Sequence, residues 1–398
     1  MRRKIFASLL LMVLVISLTG CGSKNNTMST VNNTSINSTI NNTGTNNDAQ
    51  VSAKLSKSDI FTDRDLKQNV DISNAIQYTV SNNKNINITK EGTYLISGSA
   101  ENVSIIVETD DESKVQLVLS DLIITNESTP CVYVKNADKV FVTITKNNSL
   151  TVNGTFTSDG STNIDAVIFA KDDLVINGTG TLNISSTNNG ITSKDDLKIT
   201  GGTLKINCTS DALEANNSIA IAGGNIAINS KKDGLHAEYD EDDSVGYIYI
   251  AGGTLNITAT DDAIHATTII QIDGGKITTN SREGIEGTYI QINDGTITIK
   301  AADDGINAGS KSKKYSVSIE INGGYISIDM GQGDTDAIDS NGNLYINGGT
   351  IDINARSAFD YDGVGKLNGG IVKVNGSEVS VLTNQMMGGH GGQGGRRR

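Results

Sequence analysis

Residues 250–268 read IAGGTLNITATDDAIHATT. After the glycine pair, apolar and polar residues alternate, Leu255 and Ile257 against Asn256 and Thr258, which is the period of a strand and not of a helix. Gly252-Gly253 and Asp262-Ala263 then mark bends, because a bend needs positive φ or a very small side chain. The frame recurs along the chain. Its first half returns as ITGGTLKIN (199–207), IAGGNIAIN (221–229), IDGGKITTN (272–280) and INGGTIDIN (346–354). Its second half returns as SDALEA (210–215), KDGLHA (232–237), REGIEG (282–287), DDGINA (303–308) and TDAIDS (335–340), with weaker copies NNGITS (188–193) and RSAFDY (356–361).

The glycine pairs fall mostly 20–25 residues apart, and two gaps near 29 hold insertions. A fixed period of that length means that each repeat cannot bury its apolar face alone and must stack on its neighbours. Short strands, no βαβ spacing and one turn of chain per repeat predict an all-β fold, a single-stranded parallel β-helix of about ten coils. Composition agrees: 43 residues are Gly, Trp is absent and Pro130 is the sole proline, as expected where ladder donors cannot be given up.

The first 21 residues, MRRKIFASLLLMVLVISLTGC, have a basic start, a short apolar run and Leu18-Thr19-Gly20-Cys21 at the end. That ending resembles the lipobox of bacterial lipoprotein signals and implies a lipid on Cys21. Residues 22–57, rich in Asn, Thr and Ser, read as a disordered tether, 58–380 as the β-helix and 381–398 as a flexible Gly/Arg-rich tail. The expected location is therefore extracytoplasmic, at the cell surface, with the membrane reached through the anchor alone. Removing Arg2, Arg3 and Lys4 with the leader takes the formal charge from −13 to −16, a surface that repels nucleic acid. Cys131 and Cys208 sit at different phases of the repeat without metal-ligand spacing; buried small residues are expected, with a disulfide left open.

Stacked coils lie about 4.8 Å apart, so residues at one phase form a column. The corner column is Asp165, Asn189, Asp211, Asp233, Asp262, Glu283, Asp304, Asp336, Ser357. Three residues later runs an outer column of Glu214, His236, His265, Glu286, Asn307, Asp339, Asp360; just before the corner runs a leading column of Ser210, Lys232, Asp261, Arg282, Asp303, Thr335, Arg356. Corner Asp and Asn are expected to accept hydrogen bonds from backbone N–H groups, a structural role that outweighs a ligand role. Stacked carboxylates repel, however, and call for a counter-ion. Calcium suits oxygen ligands of adaptable geometry, and stacking gathers Asp261, Asp262, Glu283, Glu286, Asp303 and Asp304 as its candidate ligands. Zinc on His236 and His265 with Glu214 or Glu286 is the weaker alternative, since the other ligands are hard oxygens.

Two insertions leave the repeat at one phase: acidic EYDEDDSVGY (238–247) and basic AGSKSKKYS (308–316). They predict a groove about 14 Å across with a metal end and a cationic end, where His236, His265, Asn307, Lys311, Lys313 and Lys314 meet a polyanionic chain. The phrases KDDLVINGTGTLNISS (171–186) and NGITSKDDLKITGGTLKI (189–206), the succession of DGI and DAI corners and the tail MMGGHGGQGGRRR resemble a bacterial family of surface proteins labelled carbohydrate-binding domain-containing protein, similar in fold to pectate lyases. The resemblance covers about residues 58–380. It implies a right-handed β-helix that binds cellulose or acidic polysaccharide such as pectin, with calcium as cofactor, and it carries over no catalytic residues to this chain.

The expectation is thus a monomeric, lipid-anchored, calcium-assisted polysaccharide-binding protein. Absence of Trp argues against a flat aromatic platform for crystalline cellulose, although Tyr239, Tyr247 and Tyr315 sit in or beside the loops. The rival classes are a structural surface adhesin and a polysaccharide lyase acting on uronic-acid polymers, for which Lys232 or Arg282 would be the base that takes the C5 proton.

Overall fold

The computed structural model describes residues 54–331 and 335–385. These lie within one compact unit that begins at Gln50. The expected leader with its Cys21, most of the tether and most of the tail fall outside the described residues.

The glycine pairs turn the chain as their spacing predicts. The second glycine of each pair has positive φ, +101° at Gly253 and +100° at Gly275, and a Cβ on Gly253 would stand 3.2 Å from the backbone carbon of Gly223. Only glycine meets both demands, the left-handed backbone and the close approach of the neighbouring turn. The described strands form a 24-stranded and a 12-stranded sheet. All pairings between strands are parallel except the last, Ile371–Val374 with Ser377–Val379.

Each repeat contributes one strand to the 12-stranded sheet and two to separate ladders of the larger sheet, so three aliphatic columns run through the fold. One is Leu174, Leu197, Ile219, Ile248, Ile270, Ile290, Ile319, Leu344. A second is Leu182, Leu204, Ile226, Leu255, Ile277, Ile297, Ile326, Ile351. The third, in the 12-stranded sheet, is Ile168, Ile191, Leu213, Leu235, Ile264, Ile285, Ile306, Ile338, Phe359. All are buried and converge in one core, and each such side chain contributes about 1.5–3 kcal/mol relative to exposure.

Two features depart from expectation. Asn189 pairs with Ala166 and not with Asp165, because Ile168 stacks on Ile191 in the core and fixes the register two residues upstream. The second departure is a strap. Residues 54–57, which composition places in the tether, belong with the two short helices Lys57–Ile60 and Asp63–Leu66 that lie on the larger sheet. Leu55, Ile60 and Phe61 cover Ala220, Tyr249, Ile269 and Tyr289. The Leu55 N–H donates to Gln271 Oε1 (2.8 Å) and the Gln271 amide returns a bond to the Leu55 carbonyl (2.9 Å). Fully buried Asp65 sits between Lys198 (3.5 Å) and Lys139 (3.9 Å).

Cys131 and Cys208 are both buried free thiols, and burial pushes Cys208 up to about 12, so neither is a nucleophile at neutral pH.

Candidate functional site

The outer column forms as stacking requires. Cα partners run Glu214–His236–His265–Glu286–Asn307–Asp339–Asp360 without a slip. Upstream the same column continues through Asn87, Ile106, Tyr133, Phe169 and Thr192. The fold places this row on one face of the 12-stranded sheet, because Ile264 and its equivalents turn inward and the next residue of a strand must turn outward.

The corner column is an internal scaffold. Asn189 Oδ1 accepts from the Asp211 N–H (3.0 Å), Asp211 Oδ1 from the Asp233 N–H (2.9 Å), and Asp233 Oδ1 from the Asp262 N–H (2.9 Å). Asp304 Oδ1 accepts from the Asp336 N–H (3.2 Å) in the same way. The relay breaks where Glu283 replaces aspartate: Asp262 Oδ1 is buried and has no hydrogen-bond partner. Burial, with the Glu286, Glu283 and Asp233 carboxylates nearby, pushes the Asp262 carboxyl up to about 9. Asp304 is likewise pushed up to about 7, chiefly by burial.

Arg282 lies among the six carboxylates expected to ligate calcium. Its Nε meets Asp261 at 2.7 Å, its Nη1 meets Glu283 and Asp303 at 2.8 Å each, and its Nη2 stands 3.5 Å from Asp262. Glu286 turns instead to Lys311 (2.8 Å) and His265 (3.2 Å). The reason is reach: an arginine in the leading column spans three turns and supplies five donors in a rigid fork. Asp261 and Asp303 remain 42% and 45% exposed, each meeting the guanidinium through one oxygen.

The two histidines differ in environment. His236 gives its nitrogens to Asp211 (3.3 Å) and Glu238 (2.9 Å). Burial works against its charge, but those carboxylates raise it to about 10, and the imidazolium in turn holds Glu238 down at about 2. His265, its ring centroid 5.0 Å from that of His236, is held below its usual value by burial and by the neighbouring imidazolium. Its Nδ1 lies 2.9 Å from Asp262.

The two loops approach each other. Lys314 Nζ donates to the Ser244 carbonyl at 3.2 Å, so the basic loop reaches back to the acidic one across the intervening turns. Lys313 stays exposed, and Asn307 donates to Glu283 (3.1 Å). Tyr247 and Tyr315 pack beside the strap cluster, and the Tyr239 hydroxyl donates to Glu241. Both candidate lyase bases are driven the wrong way. Lys232 sits 3.0 Å from Asp211 and, against burial, is raised above its usual value, while hydrogen bonding to Asp261 raises Arg282. A base needs the opposite shift. A separate concavity of about 530 Å³, lined by Asn83, Asn85, Asn87, Asn102, Glu127, Ser128 and Thr129, lies at the upstream end of the outer column. Its residues carry no periodic signal that sequence reading detects.

An all-β fold of long parallel sheets with one ionisable face defines the class. The profile of the carbohydrate-binding domain-containing protein family matches residues 82–337 and 279–364, and the chain belongs to that family. A curated carbohydrate-binding domain-containing protein of Acetivibrio thermocellus is 36% identical over 124 residues, 30% of this chain and 43% of the relative, so the match spans less than half of that protein's length. A solved structure, the gadolinium derivative of a polysaccharide lyase-like protein from C. thermocellum, aligns over 74% of this chain and 100% of its own with 26% identity and a TM-score of 0.46.

Proposed function

We propose that the chain winds as a right-handed, single-stranded parallel β-helix and binds an extended, uronic-acid-rich polysaccharide of pectin type along the outer column. The observation that carries the reading is the unbroken register from Glu214 to Asp360. It sets hydrogen-bonding side chains at a repeat of about 4.8 Å, comparable to the advance per sugar residue of an extended polysaccharide. Family membership supports carbohydrate as the ligand class. Lys311, Lys313 and Lys314 supply cations for sugar carboxylates, and calcium enters as a bridge between those carboxylates and the exposed oxygens of Asp261 and Asp303. The protein acts as a monomer, tethered at the cell surface through a lipid on Cys21 and without catalytic turnover. Among the described residues no helix is long and apolar enough to cross a membrane.

Titration of the purified chain with polygalacturonate, with and without a calcium chelator, tests this. Binding that falls about tenfold or more on chelation is expected, a loss of about 1.4 kcal/mol. Binding untouched by chelation removes the calcium bridge, and absence of binding to polygalacturonate removes the acidic-sugar reading.

A further inference from the structure

We propose that Asp262, His265 and Glu286 form a site for one divalent transition-metal ion of the zinc class, distinct from the calcium bridge at Asp261 and Asp303. The inference stands on side-chain geometry and does not require the polysaccharide reading. Ligating atoms of the three residues lie within 4.8 Å of one another. They come from two adjacent strands of the 12-stranded sheet, Asp262–Ala266 and Glu283–Gly287, so the backbone ladder fixes their spacing. Preorganisation of this kind lowers the cost of closing a site around an ion.

Two further observations point to a ligand. One ring nitrogen, His265 Nδ1, faces two carboxylates at once, Asp262 Oδ2 at 2.9 Å and Glu286 Oε2 at 3.2 Å. The three groups crowd around shared protons there, whereas one cation in place of those protons coordinates all three. The second is the orphaned acceptor. Asp262 is 3% exposed, and its Oδ1 has no hydrogen-bond partner, the nearest cationic nitrogen being Arg282 Nη2 at 3.5 Å. A buried carboxylate oxygen left unsatisfied is costly, and an ion chelated by both oxygens of Asp262 would remove that cost.

The donor set selects the metal. Imidazole nitrogen with two carboxylates suits zinc, cobalt or nickel, whereas calcium takes six to eight oxygens. His236, adjacent in the column, is not a ligand: Asp211 and Glu238 already take both of its nitrogens. With three protein ligands, a water or a sugar hydroxyl would complete a four-coordinate shell.

The test titrates the full chain, stripped with EDTA, with cobalt(II) chloride and then zinc chloride, following the visible d–d absorption. The expected result is one cobalt per chain, displaced by zinc and not by a large excess of calcium. His265→Gln and Glu286→Gln should each lose the band and more than about 10-fold in affinity. His236→Gln should keep it. Thermal melts confirm that each variant folds, and if His265→Gln does not, the near-isosteric Glu286→Gln carries the test. No band in the parent chain, a band indifferent to Glu286→Gln, or displacement by calcium overturns the proposal. Calcium-dependent binding of polygalacturonate, measured on the same samples, stands or falls separately.

Discussion

Gly284→Val lowers the stability of the fold by about 3 kcal/mol, among the larger effects expected of a single added side chain. Gly284 stands between Glu283 and Ile285 in the strand that carries the acidic corner. A Cβ there meets the Gly305 carbonyl oxygen and comes within 2.6 Å of Ile299 Cγ2. Neither can withdraw. The Gly305 carbonyl accepts the Ile285 N–H at 3.1 Å as part of the sheet ladder, and Ile299 is fully buried. The same phase holds alanine at Ala212, Ala263 and Ala337, each fully buried, so the column admits a methyl at some turns and nothing larger. Chemical denaturation measures the effect; a Gly284→Val chain that unfolds at the parent's midpoint would mean that the turns are not stacked at this spacing.

Asp65→Ala releases the strap, at a cost of about 3 kcal/mol. The carboxylate is fully buried, its Oδ2 accepts the Thr62 N–H at 2.9 Å, and it lies between two lysines whose side chains are only 10% and 13% exposed. Removing it leaves Lys198 and Lys139 buried with less compensation, and the strap's apolar contacts, Leu55, Ile60 and Phe61, are too few to offset that. Because the core beneath is complete without the strap, the expected outcome is local detachment with the sheets intact. Hydrogen exchange at residues 54–68 and quenching of Tyr249 and Tyr289 fluorescence read it out. Unchanged protection of the strap in Asp65→Ala would show that the ion cluster contributes little.

The periodic parts of this protein are legible in its sequence and the aperiodic parts are not. Gly-Gly pairs and DGI corners fix the strand phases because only small or positive-φ residues turn so tightly, and the outer column follows residue for residue. The corner aspartates also behave as expected, as acceptors for the next turn's backbone. Three features escape. Arg282 reads as one residue of a mixed leading column and as a candidate base, yet its length lets it bridge carboxylates on three turns. The strap has no period, and its Ser, Lys and Asp residues resemble a linker until Leu55 and Phe61 are seen against the tyrosines. The loops 238–247 and 308–316 share a phase, but loop length does not reveal direction, and Lys314 closes on Ser244.

If carbohydrate lies along the outer column, a bound chain shields the carboxylates of that column. Carbodiimide labelling of carboxylates, read by mass spectrometry with and without polygalacturonate, tests it most directly. Protection of Glu214, Glu286, Asp339 and Asp360 is expected, with the exposed Asp294 and Asp329 labelled equally in both states. Protection confined to Glu127 in the upstream cleft, or none at any of the four, would contradict it.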